Sequence, residues 1–296
     1  MEAVMQLDSV LEIVTRTDPG KVRSNNEDSI LANAACGIVV LADGMGGYNA
    51  GEVASGMATS MLGKRLEKVF AKRAVGATLA AALSSTHAAL AVAIAETNRA
   101  IFSAAQTQAQ YAGMGTTLVI GVFQGNQLTV AHIGDSRVYR LRGKDFVQIT
   151  RDHSWLEEKI ASGLLTREQA QLSRNKNLVT RAVGIDAQVS PEIHDFEMIS
   201  DDIYLFCSDG LNDMVPDKDI GATLSALSAN LDLCALQLIQ LANDHGGRDN
   251  VSVILVKVKK TTSTLVSPLV SWWHRLLTWF KYCGFVKEEK NVQTHT

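Results

Sequence analysis

Four aspartates occupy positions at which a carboxylate could bind a ligand. Asp43 and Asp209 each follow an apolar run that predicts a buried strand, and each precedes a glycine. Asp135 and Asp249 lie in turns that contain glycine. Because the ends of neighbouring strands share one edge of a sheet, the four carboxylates could converge. Converging carboxylates repel one another unless they are protonated or bind a metal ion.

Oxygen atoms of this kind are ligands for a hard divalent cation. Neither a His or Cys cluster nor the spacing of an EF-hand loop accompanies the four aspartates, so the pattern favours Mg²⁺ or Mn²⁺ over Zn²⁺ or a dedicated Ca²⁺ loop. Two such ions about 3.5–4 Å apart can activate a bridging water and bind a transferring phosphoryl group. The residues therefore suggest metal-assisted hydrolysis of a phosphoester without a covalent nucleophile.

A polar loop, Arg23–Asp28, supplies further groups for the same chemistry. Arg23 has a planar guanidinium suited to phosphate oxygens, and Glu27 and Asp28 are adjacent carboxylates. Taken alone, the loop is better interpreted as a solvated connection between strands. His153 also has two interpretations, and a hydrogen-bonded structural histidine is favoured over a catalytic one.

The elements that must position these residues are predicted from periodicity. Strands are predicted over residues 9–17, 29–34, 37–42, 117–124, 128–133, 138–141, 146–150, 202–208 and 251–258. Helices are predicted over residues 50–70, 74–106, 217–228 and 232–244. Residues 151–190 interrupt this rhythm and predict a mobile insertion. Within it, we expect a helix from about Trp155 and a capping box at Thr166–Gln169.

Composition excludes several classes of protein. The chain has 296 residues, of which 46% are hydrophobic, enough for one large core or two small ones. A net charge of −3 argues against recruitment of nucleic acid. Four cysteines without a C-x-x-C pair, and an N-terminal sequence without the signal-peptide pattern, predict a reducing, cytoplasmic location. Asn49 stands where a dinucleotide-binding fingerprint needs its last glycine, and no P-loop motif occurs.

Seven motifs, taken in order, resemble those of the PP2C (PPM) family of metal-dependent Ser/Thr protein phosphatases, over roughly residues 10–258. Each motif is weak by itself, but the ordered set is specific, and Ala-Asp-Gly-Met-Gly-Gly is similar to the bacterial branch. The motifs are Arg23…Asn26-Glu27-Asp28, Ala42-Asp43-Gly44-Met45-Gly46-Gly47, Gly51-Glu52…Ala54-Ser55, Met114-Gly115-Thr116-Thr117, Gly134-Asp135-Ser136-Arg137, Cys207-Ser208-Asp209-Gly210 and Asp249-Asn250-Val251-Ser252.

The resemblance implies a fold and an activity. The fold would be α+β, a four-layer αββα sandwich of two antiparallel β-sheets flanked by helices, with a flap insertion at about 151–190. A phosphatase domain would span residues 1–258. The activity would be hydrolysis of phosphoserine and phosphothreonine on proteins by a metal-activated water, with no covalent intermediate. Its partners would be phosphorylated proteins, including a cognate Ser/Thr kinase and its targets, and not nucleic acid.

The resemblance also implies a site for two divalent metals, Mg²⁺ or Mn²⁺. Asp43 would bridge both ions, and the Gly44 carbonyl would bind one of them. Asp209 and Asp249 would hold the other ion. Asp135 would join Asp209 at a third, weaker site that bacterial relatives have.

Other residues would act around these metals. Glu27, with Asp28 beside it, would contact the site through metal-bound water. Arg23 would hold the substrate phosphate, and Asn250 would support the ligands without touching metal. Many animal members have a histidine, proposed as the general acid, where this chain has Met45. A thioether cannot donate a proton, so that role is left without a named residue.

Residues 259–296 lie outside the resemblance and form a linker and tail with six Lys or Arg and two Glu. On a helix, residues 269–283 would separate into an apolar and a polar half. The apolar half includes Trp272, Trp273, Leu276, Trp279 and Phe280. The charges exclude a membrane-spanning helix. The tail therefore predicts contact with a partner groove or with the inner membrane face, or else docking on the chain's own body.

Two other functions are open at this point. The same fold could be a non-catalytic module that binds phosphoproteins, although the complete set of acidic residues argues against it. The same metal chemistry could serve a phosphodiesterase or nuclease, against which the absence of a basic stripe argues.

Overall fold

A computed structural model describes residues 10–47, 50–70, 78–166, 169 and 178–259. The predicted tail helix, with its tryptophans, lies outside these residues, as does part of the predicted flap. The boundary predicted near residue 258 therefore stays a prediction.

The described chain contains eleven β-strands. In chain order they are β1 (Leu11–Asp18), β2 (Asp28–Asn33), β3 (Ile38–Met45), β4 (Gly115–Thr116), β5 (Leu118–Gln124), β6 (Gln127–Ile133), β7 (Arg137–Arg142), β8 (Asp145–Gln148), β9 (Glu192–Glu197), β10 (Ile203–Cys207) and β11 (Val251–Val258). One antiparallel sheet has the order β1–β11–β10–β7–β8, and the other has the order β2–β3–β5–β6–β9 with β4 paired to the end of β3.

Six α-helices are described. They are α1 (Ala50–Phe70), α2 (Leu79–Thr107), α3 (Trp155–Ala161), α4 (Asp209–Asn212), α5 (Asp217–Ala226) and α6 (Leu231–Asp244), and a 3₁₀ turn covers Ala109–Tyr111. Helix α3 begins where the sequence predicts, because Ser154 Oγ accepts the Glu157 N–H at 3.3 Å as an N-cap.

Three apolar clusters hold four layers together. The first lies between α1, α2 and the β2–β9 sheet and includes Leu62 of α1 and Ile120 of β5. The second lies between the β1–β8 sheet and helices α4 to α6, and includes Leu238. The third fills the space between the two sheets, where Phe123 and Phe206 meet edge to face. The order is α, β, β, α, which is the fold class that the sequence predicts.

Strand β5 shows why the central strands of the sandwich have continuous apolar sequences instead of alternating ones. Leu118, Ile120 and Val122 belong to the cluster under the helices, whereas Val119 and Phe123 belong to the cluster between the sheets. Successive side chains of a strand point to opposite faces, and both faces of this strand are buried.

Helix α2 is, among the described residues, the one helix long and apolar enough to cross a membrane by length and composition. Its buried residues, including Leu90, Ile94 and Ile101, form a stripe that belongs to the cluster shared with α1 and the sheet. A helix that packs in a core passes the same test of length and composition, and this stripe is what such packing requires.

The structure corrects several boundaries. Strand β3 continues through Asp43 to Met45 instead of ending before a turn, because β4 pairs with Gly44 and Met45. Asp209 begins α4 instead of ending the preceding strand. Helix α2 begins at Leu79, after the N-cap Thr78. Strand β9 has no counterpart in the predictions because its sequence, Glu-Ile-His-Asp-Phe-Glu, is mostly polar and lies at a sheet edge.

The described part of the flap confirms the predicted capping box and shows one place where the insertion is packed on the body. Thr166 and Gln169 exchange the two hydrogen bonds of a capping box, at 2.9 and 3.2 Å. Val183, by contrast, is fully buried in the cluster under α1 and α2. The insertion is therefore fixed to the body near its C-terminal end, and its mobility stays a prediction.

Gly121 lies on β5 close to Phe206 of the other sheet, and this contact predicts how much a larger side chain would destabilise the fold. A Cβ on Gly121 would lie 2.5 Å from Phe206 Cζ and 3.0 Å from Val39 Cγ2. We expect Gly121→Ala to lower the free energy of unfolding by about 1–3 kcal/mol, measured by urea denaturation. Gly56→Ala is the matched control, since Gly56 lies within α1 with open space around it. Its helix propensity should raise stability by up to about 1 kcal/mol, and equal losses in both variants would contradict the packing account.

Candidate active site

The two sheets bring carboxylates together at one edge of the sandwich. Asp28 and Asp43 are direct register partners on β2 and β3. Ser208, which follows β10 in the other sheet, donates its hydroxyl to Asp28 Oδ2 at 2.8 Å. Asp209 is the next residue, and its neighbours include Asp28, Asp135 and Asp249. The convergence that strand ends suggest is therefore realised across both sheets.

Repulsion and burial perturb these carboxyls. Burial raises the pKa of Asp43 well above its usual range, and the charges of Asp28 and Asp209 raise it further, although part of the Asp43 residue is accessible to solvent. Burial likewise raises the pKa of Asp209, followed by the charge of Asp135. The pKa of Asp28 rises to about 6, chiefly through burial. We call Asp28, Asp43, Asp209 and Asp249 the carboxylate cluster.

The cluster fits hard divalent cations. Asp28 Oδ1 is buried without a hydrogen-bond donor among the described residues, and the Asp43 carboxyl interacts with the same Asp28 side chain. Two such oxygens are compatible only if they share a proton or a cation. Every side chain in the cluster offers oxygen, which matches Mg²⁺ or Mn²⁺ better than a softer metal.

The backbone of Asp43 is held by two threonines. Its N–H donates to Thr117 Oγ1 at 3.2 Å, and its carbonyl accepts from the Thr117 N–H at 2.8 Å and from Thr116 Oγ1 at 2.9 Å. These neutral groups fix the residue without cancelling its charge. Thr117 lies in the motif Met114-Gly115-Thr116-Thr117, but the sequence does not indicate its contact with Asp43.

Asn250 holds the loop that carries Glu27. Its Oδ1 accepts the Glu27 N–H at 2.8 Å, and its Nδ2 donates to the carbonyls of Pro19 and Asn25 at 3.0 and 2.9 Å. Burial raises the pKa of Glu27, and the Asp249 charge adds to this. Asn250 therefore contacts backbone groups around the site, which agrees with a supporting position.

Two glycines permit the close approach of the loop to α1. A Cβ on Gly44 would lie 2.1 Å from the Gly51 carbonyl oxygen and 2.6 Å from that of Glu27. A Cβ on Gly51 would lie 2.7 Å from Glu27 Oε2. The Gly44 N–H also donates to the Glu27 carbonyl at 3.1 Å. Only residues without a side chain fit between these backbones.

Arg23 is next to the cluster but binds a different partner from the predicted one. Its Nη2 donates to Asp249 Oδ2 at 2.7 Å, and this hydrogen bond and ion pair raise the pKa of Arg23. Asp249 in turn accepts the Asn250 N–H through Oδ1 at 2.9 Å. About half of the Arg23 side chain is exposed to solvent. The predicted phosphate ligand and a predicted metal ligand thus bind each other.

Asp135 lies close to the cluster on the turn between β6 and β7. Burial raises its pKa to about 6, with a further contribution from the charge of Asp152. Asp213 also raises the pKa of both Asp135 and Asp209. Asp213 was not among the predicted site residues. It follows α4 at a position that no motif marks, so only the fold places it here.

A cavity of about 620 Å³ extends from this edge toward the flap. Asp209 and Asp249 line one end, and α3 contributes Leu156 and Ile160 to the other. Across the cavity, the Arg137 guanidinium binds Asp152 at 2.7–3.1 Å. The cavity thus offers a substrate both apolar and charged surface beside the carboxylates.

The raised pKa values predict how the metal-free protein responds to pH. Asp28 and Asp135 have folded-state pKa values of about 6, against about 3.9 when unfolded. Between these values the folded state binds more protons than the unfolded state, so the free energy of unfolding falls as pH rises through about 4–6. In EDTA, we expect a higher melting temperature at pH 5 than at pH 7, measured by calorimetry.

A neutral substitution tests the same repulsion at fixed pH. Asp43→Asn should raise the melting temperature of the metal-free protein at pH 7, by about 2–4 °C for each kcal/mol of repulsion removed. Asp145→Asn, an exposed position on β8, is the control and should change little. A fall in the melting temperature of Asp43→Asn would show that the native carboxylate stabilises the fold.

Comparison with known proteins places this geometry in a family. The sequence matches the family described as Protein phosphatase 2C over residues 21–237. Serine/threonine phosphatase stp of Listeria monocytogenes is 36% identical over 248 residues, covering 82% of this chain and 94% of that protein. Protein phosphatase PhpP of Streptococcus pneumoniae is 34% identical over 253 residues, covering 84% of this chain and 98% of that protein.

Solved structures agree with the fold. The serine/threonine phosphatase PstP of Mycobacterium tuberculosis matches with a TM-score of 0.74 and 38% identity, over 84% of this chain and 99% of that one. The catalytic domain of PstP in complex with two manganese ions matches with a TM-score of 0.73 and 37% identity, over 85% of this chain and 99% of that one. The chain belongs to the protein phosphatase 2C family and is a metal-dependent serine/threonine protein phosphatase that acts on phosphoproteins.

Proposed function

We propose that the carboxylate cluster is where this enzyme hydrolyses the phosphomonoesters of phosphoserine and phosphothreonine in protein substrates. The observation that carries the proposal is the meeting of carboxylates from both sheets, with pKa values raised by burial and mutual repulsion. Such a site is unfavourable without cations. The Ser208 hydroxyl beside the cluster is fully buried and donates to Asp28, so it is not placed to attack a substrate. The site suits hydrolysis by water and not transfer through a phosphoenzyme.

The metals are assigned to residues as follows in this proposal. Asp43 would contact both ions, the Gly44 carbonyl would contact one, and Asp209 and Asp249 would hold the other. The two manganese ions named for the catalytic domain of PstP support a site of this size. Bound divalent cations there supply an acidified water as the nucleophile and neutralise charge on the phosphoryl group.

The remaining predicted residues act around this centre. Glu27 and Asp28 would accept hydrogen bonds from water held by the cations, since both carboxyls lie on the loop and strand that face the site. Asp135, beside Asp209, forms a third and weaker metal position. Met45, at the end of β3, donates no proton, so the proton for the leaving alkoxide comes from a group other than this side chain.

Arg23 changes partner in this proposal. Asp249 would no longer need the Arg23 guanidinium as its counter-ion once it held a cation, and the half-exposed Arg23 side chain would then bind phosphate oxygens. The ion pair between Arg23 and Asp249 thus keeps the phosphate ligand near its place while the metals are absent.

The requirement for metal and for Asp209 is the direct test. Phosphate release from a phosphothreonine peptide with Mn²⁺ should stop on addition of EDTA and return with excess metal. Asp209→Ala should lower kcat/KM by at least about a hundredfold, more than the loss of a residue that only supports a ligand. Asp145→Ala, with its exposed side chain, is the control. A folded wild-type protein that releases no phosphate with Mn²⁺ would contradict the proposal.

Arg23→Ala tests the phosphate ligand separately. We expect KM for a phosphopeptide to rise about tenfold or more, since a charge-assisted hydrogen bond contributes about 1.5–3 kcal/mol. Arg23→Lys should recover part of the loss, because it keeps the charge and loses the fork. Arg16→Ala is the control, since Arg16 pairs with Asp232 on α6 instead. An unchanged KM in Arg23→Ala would remove Arg23 from the phosphate site.

The sequence also supports proposals about the setting of the enzyme. Its substrates would include a cognate Ser/Thr kinase and the targets of that kinase, in the cytoplasm. The cationic, tryptophan-rich segment around Trp272, Trp273 and Trp279 would bring the enzyme to the inner membrane face or to a partner.

Sedimentation with vesicles tests the role of the tail. The full chain should co-sediment with anionic vesicles and release from them at high salt, because cationic residues contribute to binding. A truncated protein of residues 1–260 should stay in the supernatant at every salt concentration. Neutral phosphatidylcholine vesicles are the control, and identical behaviour of the two proteins would rule out a membrane role for the tail.

A further inference from the structure

One residue, His153, joins the start of the flap to the Asp135 turn. Its backbone N–H donates to the Gly134 carbonyl at 2.9 Å, and its ring Nδ1 accepts the Gly134 N–H at 3.2 Å. His153 is buried, with 4% of its surface exposed. Both backbone polar groups of Gly134 are therefore bound by a single histidine, and Asp135 is the next residue along the chain.

The same turn packs on the residue that holds Asp43. Gly134 has a φ of +104°, and a Cβ there would lie 2.7 Å from Thr117 Cβ. Thr117 Oγ1 is 2.8 Å from Ser136 Oγ and accepts the Asp43 N–H at 3.2 Å. A displacement of the turn would therefore move Asp135 directly and would reach Asp43 through Thr117.

The hydrogen bond from Gly134 determines the tautomer of His153. A neutral imidazole that accepts through Nδ1 has its proton on Nε2. Nε2 lies 3.1 Å from Glu192 Oε1, outside hydrogen-bond alignment, so this contact is electrostatic. Burial lowers the pKa of His153, and the neighbouring His132 lowers it further. The ring is therefore neutral at pH 7, with its lone pair on Nδ1.

A metal site is the obvious alternative for this group. His132, His153 and Glu192 present possible ligand atoms within 4.8 Å of one another. The two imidazole rings, however, are stacked, with centroids 4.7 Å apart and planes 22° apart. Imidazole binds a metal through a lone pair in the plane of its ring, and nearly parallel planes do not direct two such pairs at one ion. The arrangement serves packing and hydrogen bonding better than coordination.

We propose that His153 is a positioning residue of this phosphatase, which holds Gly134 and thereby places the Asp135 carboxylate beside Asp209. The proposal rests on the metal role proposed above for Asp135. A later part of the flap also contacts His153, because the Thr180 N–H donates to the His153 carbonyl at 2.8 Å. The position of the flap root and that of Asp135 are thus coupled through one side chain.

Two conservative substitutions distinguish the role of Nδ1 from the role of Nε2 in the His153 ring. His153→Asn keeps an acceptor near the position of Nδ1 and loses the group at Nε2. His153→Gln keeps a polar group near Nε2 and loses the acceptor for Gly134. Both remove the stacking on His132, so a role in packing alone predicts the same result for both. Each is made in the full chain, and thermal unfolding verifies that it folds.

Two readouts other than activity report on the proposal. The first is Mn²⁺ binding to the metal-free protein, followed by the electron paramagnetic resonance signal of free Mn²⁺. We expect His153→Gln to weaken the weakest Mn²⁺ position about threefold to tenfold, the range for one lost hydrogen bond. His153→Asn should stay within about twofold of wild type. The second is hydrogen exchange at the Gly134 amide, which should be faster in His153→Gln and unchanged in His153→Asn.

Asp135→Asn separates failure of this inference from failure of the metal assignment. It should weaken the same Mn²⁺ position, and adding His153→Gln to it should have no further effect on binding. If Asp135→Asn binds Mn²⁺ as wild type does, the metal role of Asp135 is wrong. If Asp135→Asn weakens binding but the Asn and Gln variants of His153 are alike in both readouts, His153 is structural and the positioning role is overturned.

The tautomer of His153 can be measured in the wild-type protein, so this test does not depend on whether a variant folds. The ¹⁵N spectrum of the His153 ring should show the proton on Nε2, with a coupling across the hydrogen bond between Gly134 N and His153 Nδ1. A proton on Nδ1 would leave Gly134 without its acceptor and would overturn the proposal.

Discussion

Mutual repulsion among buried carboxylates is the constraint on which the rest of this structure depends. Asp28 and Asp43 face each other across β2 and β3, and Asp209 adjoins them from the other sheet. Burial, and after it the charges of neighbouring carboxylates, raises the pKa values of Asp28 and Asp43, so the folded chain holds these groups together against both desolvation and charge. The apolar clusters on the two faces of the β2–β9 sheet hold its strands rigidly in place. Because these strands are closely packed, the carboxylates at their ends have no room to separate.

Around the cluster, position is maintained by neutral groups. Thr117 binds both the N–H and the carbonyl of Asp43, and Asn250 binds three backbone groups of the loop before β2. Gly44 and Gly51 allow that loop to lie against α1. Hydrogen bonds from uncharged side chains fix geometry and leave the charge of the carboxylates for cations, whereas a ring of Lys or Arg would neutralise the site. Arg23 is a charged neighbour of the carboxylate cluster, and it lies at the solvent-exposed side of Asp249.

The flap and the cavity connect this centre to the rest of the chain. Helix α3 lines the cavity that begins at Asp209 and Asp249, so the flap shapes the surface a substrate meets. At its root, His153 binds Gly134 beside Asp135. The cavity wall formed by α3 and the turn that carries Asp135 are therefore connected through the contacts of one histidine at the start of the flap.

The sequence by itself determined the chemistry and most of the elements, although not the short β4 and α4 or the polar edge strand β9. A carboxylate after a buried run and before glycine identified Asp43 and Asp209, since strand periodicity and glycine content are local properties. The ordered motifs then implied the family and the fold class. What only the tertiary structure decided are the pairings between distant residues: Arg23 with Asp249, Ser208 with Asp28 and His153 with Gly134. Periodicity shows which face of an element is buried, but not which buried faces meet. These contacts join segments from both sheets and the flap, so they exist only once the chain has folded.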